Sequence, residues 1–230
     1  PMSCSGTLVV ISSAVPSPQT CSGNGSIQVT FSGGTAPYSI SWTGGGPVNM
    51  ITSPYTINGL VAGSYTVTVT DDNGSTATAS ATIQYLPVTN TSDAPDTYYA
   101  TIQAAINAAD PGETITVCAG TYAEHVIVNK ALDLRGPNYG ISGTGARNPE
   151  ALIVPEANLM PGDPWTEVVF INANNVSFDG FKVSGDNPAI TGYAYAGMDL
   201  EKGQGVYSEG NNVTFTNNIV EKATTMGFFA

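Results

Sequence analysis

Between Tyr99 and Gly136 the apolar residues change period once, and that change limits the folds open to the chain. Ile102, Ala105, Ile106 and Ala109 recur at the i, i+3, i+4, i+7 spacing of one helical face, with Thr101 placed to cap the first turn. Asp110-Pro111-Gly112 ends the pattern. Beyond it the apolar residues come in short β-branched runs, Ile115/Val117, Val126/Ile127/Val128 and Leu132/Leu134, too brief for the strands of a sandwich. A helix this short is not stable alone in water. Its apolar face must cover something, and the open end of the strand stack that follows is the nearest candidate.

The segments Thr101-Ile-Gln-Ala-Ala-Ile, Pro111-Gly-Glu-Thr-Ile-Thr-Val, Gly120-Thr-Tyr and Leu132-Asp-Leu-Arg-Gly resemble the start of a right-handed parallel β-helix of the pectin-lyase-like superfamily. The resemblance implies that the short helix caps the first coil. It implies little about activity, because lyases, hydrolases, epimerases and adhesins share this start.

Composition agrees with a turn-rich β protein. Among 230 residues there are 26 Gly and 15 Pro, and only 10% are charged. The net charge of −12, with six Lys and Arg, argues against nucleic acid and anionic membrane surfaces as partners and leaves a cationic ligand or a divalent metal open. No stretch reaches the roughly 20 apolar residues that span a bilayer, so no membrane insertion is expected. The composition suggests export, to the cell surface or the medium. Of the three cysteines, Cys4 and Cys21 are candidates for one disulfide worth about 3 kcal/mol if geometry allows, or remain free. Cys118 reads as a lone buried thiol.

Residues 1–87 carry six or seven short strand patterns, the clearest being Ser64-Tyr-Thr-Val-Thr-Val-Thr, in which Tyr65, Val67 and Val69 face one way and the threonines the other. Asp71-Asp72-Asn73-Gly74 is a hairpin turn, since Asn-Gly supplies the positive φ that tight turns need. The spacing predicts a small Ig-like β-sandwich with Trp42 as core aromatic. Cys21-Ser-Gly-Asn-Gly-Ser-Ile, Gly33-Gly-Thr-Ala-Pro-Tyr-Ser-Ile-Ser-Trp and Asn58-Gly-Leu-Val-Ala-Gly-Ser-Tyr-Thr-Val-Thr-Val-Thr-Asp-Asp-Asn-Gly resemble one unit of the SprB-type repeats of gliding-motility surface adhesins, over roughly residues 20 to 85. The resemblance implies a second cysteine just after the Asn-Gly turn. Ser75 stands there instead, and Cys4 replaces it or belongs to a preceding repeat. Asp71 and Asp72 are oxygen-rich enough for part of a calcium site, which needs 6 to 8 oxygen ligands, or they simply form a solvated turn. No other cofactor is expected.

Residues 88–98, polar and flanked by prolines, read as a linker to a β-helix over 99–230. Asn174-Asn-Val-Ser-Phe-Asp-Gly-Phe-Lys-Val and Asn211-Asn-Val-Thr-Phe-Thr-Asn-Asn-Ile-Val align at an offset of 37 residues (174 to 211). Val176/Val213, Phe178/Phe215, Phe181/Asn218 and Val183/Val220 would then stack in successive coils, with Asn218 either starting an inward Asn ladder or sitting in a surface turn. An offset of 37 exceeds a bare coil and implies excursions, one over 186–204 and another over 137–166. Tyr193, Tyr195, Asp199, Glu201, Tyr207 and the anchor Trp165 form a candidate glycan-binding surface, rings on pyranose faces and carboxylates on hydroxyls, or a loop packed on its own scaffold. Asp199 and Glu201 could serve as glycosidase acid and base, though spacing cannot fix their separation. His125 reads as a surface residue at a strand start, and Arg135 and Arg147 match no lyase pattern.

The expectation is an all-β chain: an Ig-like β-sandwich followed by a right-handed parallel β-helix with a short N-terminal capping helix, incomplete at its C-terminal end. The leading functional reading is a non-catalytic secreted or cell-surface module for adhesion, glycan binding or extracellular assembly, whose partner is a polysaccharide, a cell-surface glycan or copies of itself. The alternatives are the N-terminal part of a polysaccharide-degrading lyase or glycoside hydrolase whose catalytic residues lie beyond this segment, and a structural stalk or filament subunit.

Overall fold

The structure, a computed structural model, describes residues 7–156, 167–190, 194–195, 198–199, 204–223 and 225–229. Among them strands dominate and one short helix occurs. The chain divides into two units, Pro1–Leu86 and Pro87–Ala230.

In the first unit the alternating patterns become strands β1 (Val10–Ser17), β2 (Gly25–Ser32), β3 (Tyr38–Trp42), β4 (Gly45–Ile51), β5 (Tyr55–Leu60), β6 (Gly63–Thr70) and β7 (Thr76–Ile83). They form two antiparallel sheets, β1-β2-β5 and β4-β3-β6-β7. Ile27, Val29, Ile40, Ile57, Val67, Val69 and Ile83 share one buried cluster. Trp42, expected in that core, is half-buried at its margin. It ends β3 against Gly45, where any Cβ would overlap its indole, while Ile40, in the middle of β3, is the strand's fully buried residue.

The second unit opens with a departure from expectation. Residues 88–98 are not a bare linker: β8 (Val88–Asn90) and β9 (Thr97–Tyr99) form an antiparallel pair, and β8 pairs antiparallel with β10 (Thr114–Val117). Val88, Thr89 and Asn90 are buried, because this pair covers what would otherwise be the open edge of a sheet. Helix α1 (Ile102–Ala108) follows, its Thr101 hydroxyl accepting from the Ala104 amide at 3.1 Å. Ile102, Ala105 and Ile106 enter the same buried cluster as the strands.

From β10 onward the chain deals its strands into three parallel sheets in rotation. The first holds β10, β13 (Asp133–Arg135), β16 (Val176–Asp179) and β21 (Val213–Thr216). The second holds β11 (Gly120–Ala123), β14 (Ala151–Val154), β17 (Lys182–Ser184) and β22 (Ile219–Glu221). The third holds β12 (Val126–Val128), β15 (Glu167–Ile171), β20 (Gln204–Ser208) and β23 (Thr225–Phe229). A hairpin, β18 (Ala194–Tyr195) with β19 (Met198–Asp199), lies between β17 and β20.

The repeat at offset 37 is realised strand for strand: Val176 pairs with Val213, Phe178 with Phe215 and Val183 with Val220. The Asn-Asn-Val turns repeat as well. Asn175 and Asn212 both take left-handed φ (57° and 55°), and Asn212 donates to the Asn175 side-chain oxygen at 2.7 Å. Asn218, half-buried in the turn between β21 and β22, donates to the Phe178 carbonyl at 2.7 Å and accepts from the Phe181 amide at 2.9 Å. At the same corner Gly180 has φ +83°, and a Cβ there would lie 2.2 Å from the Tyr139 nitrogen.

The corner between first and second sheets carries the segment 136–150, which folds tightly around Arg147. This guanidinium, 7% exposed, donates to Glu150 through Nε (2.6 Å) and Nη2 (3.0 Å), and through Nη1 to the carbonyls of Ile141 (3.0 Å) and Asn217 (2.7 Å). Glu150 also accepts from Asn138, which is fully buried.

Two cysteine expectations meet the structure differently. Cys118, expected as a lone thiol, is disulfide-bonded, as is Cys21. It follows Val117, the last inward residue of β10, and is not part of the apolar cluster. Cys4 lies outside the described residues.

A candidate ligand-binding face

The third sheet presents one ordered row of large side chains outward. Val126/Val128, Val169/Ile171 and Val206/Ser208 are buried, so the residues between them, Ile127, Phe170 and Tyr207, point the other way. Parallel register places these three side by side across β12, β15 and β20, and Phe229 of β23 takes the next register position. Phe170 and Tyr207 stack with ring centroids 5.8 Å apart and planes 15° apart. Ile127 is 36% exposed.

Carboxylates bracket the row. At the start of β15, Glu167 lies 3.5 Å from Nε2 of His125. At the end of β20, Tyr207 donates its hydroxyl to exposed Glu209 at 3.4 Å. Both long excursions, 155–166 between β14 and β15 and 185–203 between β17 and β20, leave from the corner between the second and third sheets.

Of the expected glycan-binding residues, Tyr207 is on this row. Tyr195 and Asp199 lie on the β18/β19 hairpin, with Tyr195 opposite Met198 and Ala194 opposite Asp199. Trp165, Tyr193 and Glu201 lie outside the described residues. Sequence reasoning missed Phe170, Glu167 and Glu209. The signal was there: Val169-Phe170-Ile171 aligns with Val206-Tyr207-Ser208, but the unbroken apolar run in β15 hides which residue faces out.

Glu124 sits at the same corner, after β11, and accepts the amides of Ile102 (3.1 Å) and Gln103 (2.9 Å) at the start of α1. Burial holds its carboxyl above the usual carboxylate range; the two amide bonds oppose this, and the charge of Glu156 adds to it. A carboxyl raised in the folded state takes its proton first in the folded state. Its contribution to stability is fully present below the unfolded value and is lost as pH rises through the raised one. Relative to Glu124→Gln, the full chain should gain stability in thermal melts as pH falls from neutral through that window. A relative gain with rising pH would show that the amide bonds outweigh burial.

In the first unit the acidic turn is wired into the scaffold. Asp71, 6% exposed, accepts amides of Thr35 (2.9 Å), Asn73 (3.1 Å) and Ser75 (2.7 Å), while the Asn73 side chain donates to the Thr35 hydroxyl. Asp72 is exposed. Among the described residues no group of three or more His, Cys, Asp or Glu could hold a metal ion. Asp71→Ala should cost about 2–3 kcal/mol in urea unfolding, because three amides lose a charged acceptor.

Residues 13–47 match the SprB repeat family. The matched span runs from within β1 into β4, so it lies wholly in the first unit. No curated protein and no solved structure matches the chain. The SprB-type match points to a module related to cell-surface adhesins. Among the described residues no helix is long and apolar enough to cross a membrane.

Proposed function

We propose that this chain is a non-catalytic cell-surface adhesion module. In this reading an Ig-like SprB-type sandwich is joined to a right-handed parallel β-helix of pectin-lyase-like architecture, capped by α1, and the outer face of the third sheet binds a saccharide. The rotation of strands through three sheets and the 37-residue repeat support the β-helix reading. The SprB-type match supports the surface location.

The observation that carries the binding role is the Phe170/Tyr207 stack, two near-parallel rings brought side by side by strand register. Sugar rings offer apolar C–H faces that pack on aromatic planes, and hydroxyls at their edges bond carboxylates. Row residues on rigid strands lose little side-chain freedom when a ligand docks. Glycan-array screening of the full chain should give binding without product release. Tyr207→Ala and Phe170→Ala should each weaken it about tenfold, roughly 1.4 kcal/mol, with unchanged circular dichroism. Undiminished binding by both variants would remove this face from the function.

A further inference from the structure

The charge around the row narrows the ligand class; this step rests on the saccharide-binding reading above. Glu167, three residues before Phe170 on β15, and Glu209, just past the end of β20, lie on opposite margins of the Ile127–Phe170–Tyr207 row, within a chain of net charge −12. An anionic ligand would need cations there. The described ones are committed elsewhere: Lys130 to the carbonyls of Asn107 and Ala109, Arg135 to Asp133, Arg147 to Glu150, Lys182 to Glu221 and Lys222 to Asp186. The sixth basic residue, Lys202, lies outside the described residues.

A polyanion laid on this face would meet carboxylates and would have to break existing ion pairs to find a partner. A protonated amine meets the opposite situation. Glu209 is exposed and bonds only weakly, through a 3.4 Å contact, to the Tyr207 hydroxyl, so it can accept a cation without losing a strong partner. Among the described residues, Glu167 is paired with the imidazole of His125 at 3.5 Å. The aromatic pair supplies the apolar surface, and the carboxylates on its two margins supply the charge.

We infer that the face takes a saccharide chain bearing free amino groups, in chemical class a partly deacetylated hexosamine polymer, running across the strands with its rings on Phe170 and Tyr207 and its ammonium groups toward Glu167 and Glu209.

The test is calorimetric titration of the full chain with three probes of equal length: glucosamine oligomers, N-acetylglucosamine oligomers and galacturonate oligomers. The glucosamine oligomer is expected to bind at least about tenfold more tightly than its acetylated counterpart and the galacturonate oligomer not at all. That preference should shrink at about 1 M salt, where screening is strong. In Glu167→Gln/Glu209→Gln the ratio of glucosamine to N-acetylglucosamine affinities should fall to about one; Glu209→Gln alone, in an exposed turn, gives the same readout without risk to folding. Galacturonate binding, or a ratio unchanged in these variants, overturns the inference. Equal affinity for the two hexosamine oligomers, still lost in Tyr207→Ala, overturns the charge preference alone and leaves saccharide binding standing. No binding of any probe overturns both.

Discussion

Arg147→Ala is expected to destabilise the second unit by about 3–5 kcal/mol, the cost of removing one partner from a buried ion pair. The guanidinium holds three separate pieces of chain: its own loop through Ile141, the carboxylate of Glu150, and the turn at Asn217. Truncation leaves the Glu150 charge at a half-buried site and strips the carbonyls of Ile141 and Asn217 of a donor. Lysine at this position should recover little, because a point charge cannot reproduce the planar fork that reaches Glu150 and both carbonyls together. The double variant Arg147→Ala/Glu150→Ala should lose clearly less than the sum of the single losses, since the second change removes the stranded charge. Chemical denaturation of the full chain reads these differences. A loss within about 0.5 kcal/mol, as for a surface pair, would mean that the segment 136–150 is not clamped by this side chain.

Phe178→Ala should cost about 3–5 kcal/mol, the range for deleting a buried aromatic ring. Phe178 is fully buried, stacked on Phe181 with centroids 4.3 Å apart and tilted against Phe215 of the next turn at 6.0 Å. The cavity would open between successive turns, where backbone ladders on either side limit collapse. Phe178→Leu should lose less than half as much by filling most of the space. An alanine variant within about 1 kcal/mol of the parent in urea unfolding would show that the turns relax into the gap.

How far the sequence revealed this arrangement differs from element to element. The helix at 102–108 was legible because its apolar spacing, cap and stop agree with one another, as were the partners Val176/Val213 and Phe178/Phe215 from the repeated Asn-Asn-Val. The strands at 88–90 and 97–99 were not: three residues each cannot display a period, and prolines nearby suggest a linker. Nor was the hub at Arg147, whose Asn217 partner is 70 residues away in the chain and announced by no local pattern. Trp42 was misplaced because size suggested the core, whereas its position at the end of β3 puts it at the margin. For the candidate face, Tyr207 could be chosen as an aromatic in a short strand pattern, but Phe170 emerged only when register set the two rings together.

Gln103 carries a consequence for association between molecules. Its amide oxygen accepts from the Ile127 amide at 2.7 Å and its nitrogen donates to the Ile127 carbonyl at 3.2 Å, supplying the two bonds that an adjacent strand would make to β12. A foreign polypeptide approaching that rim meets main-chain groups already saturated at its centre. Self-templated fibre growth, the standing hazard of flat parallel arrays, is thereby denied its first rung.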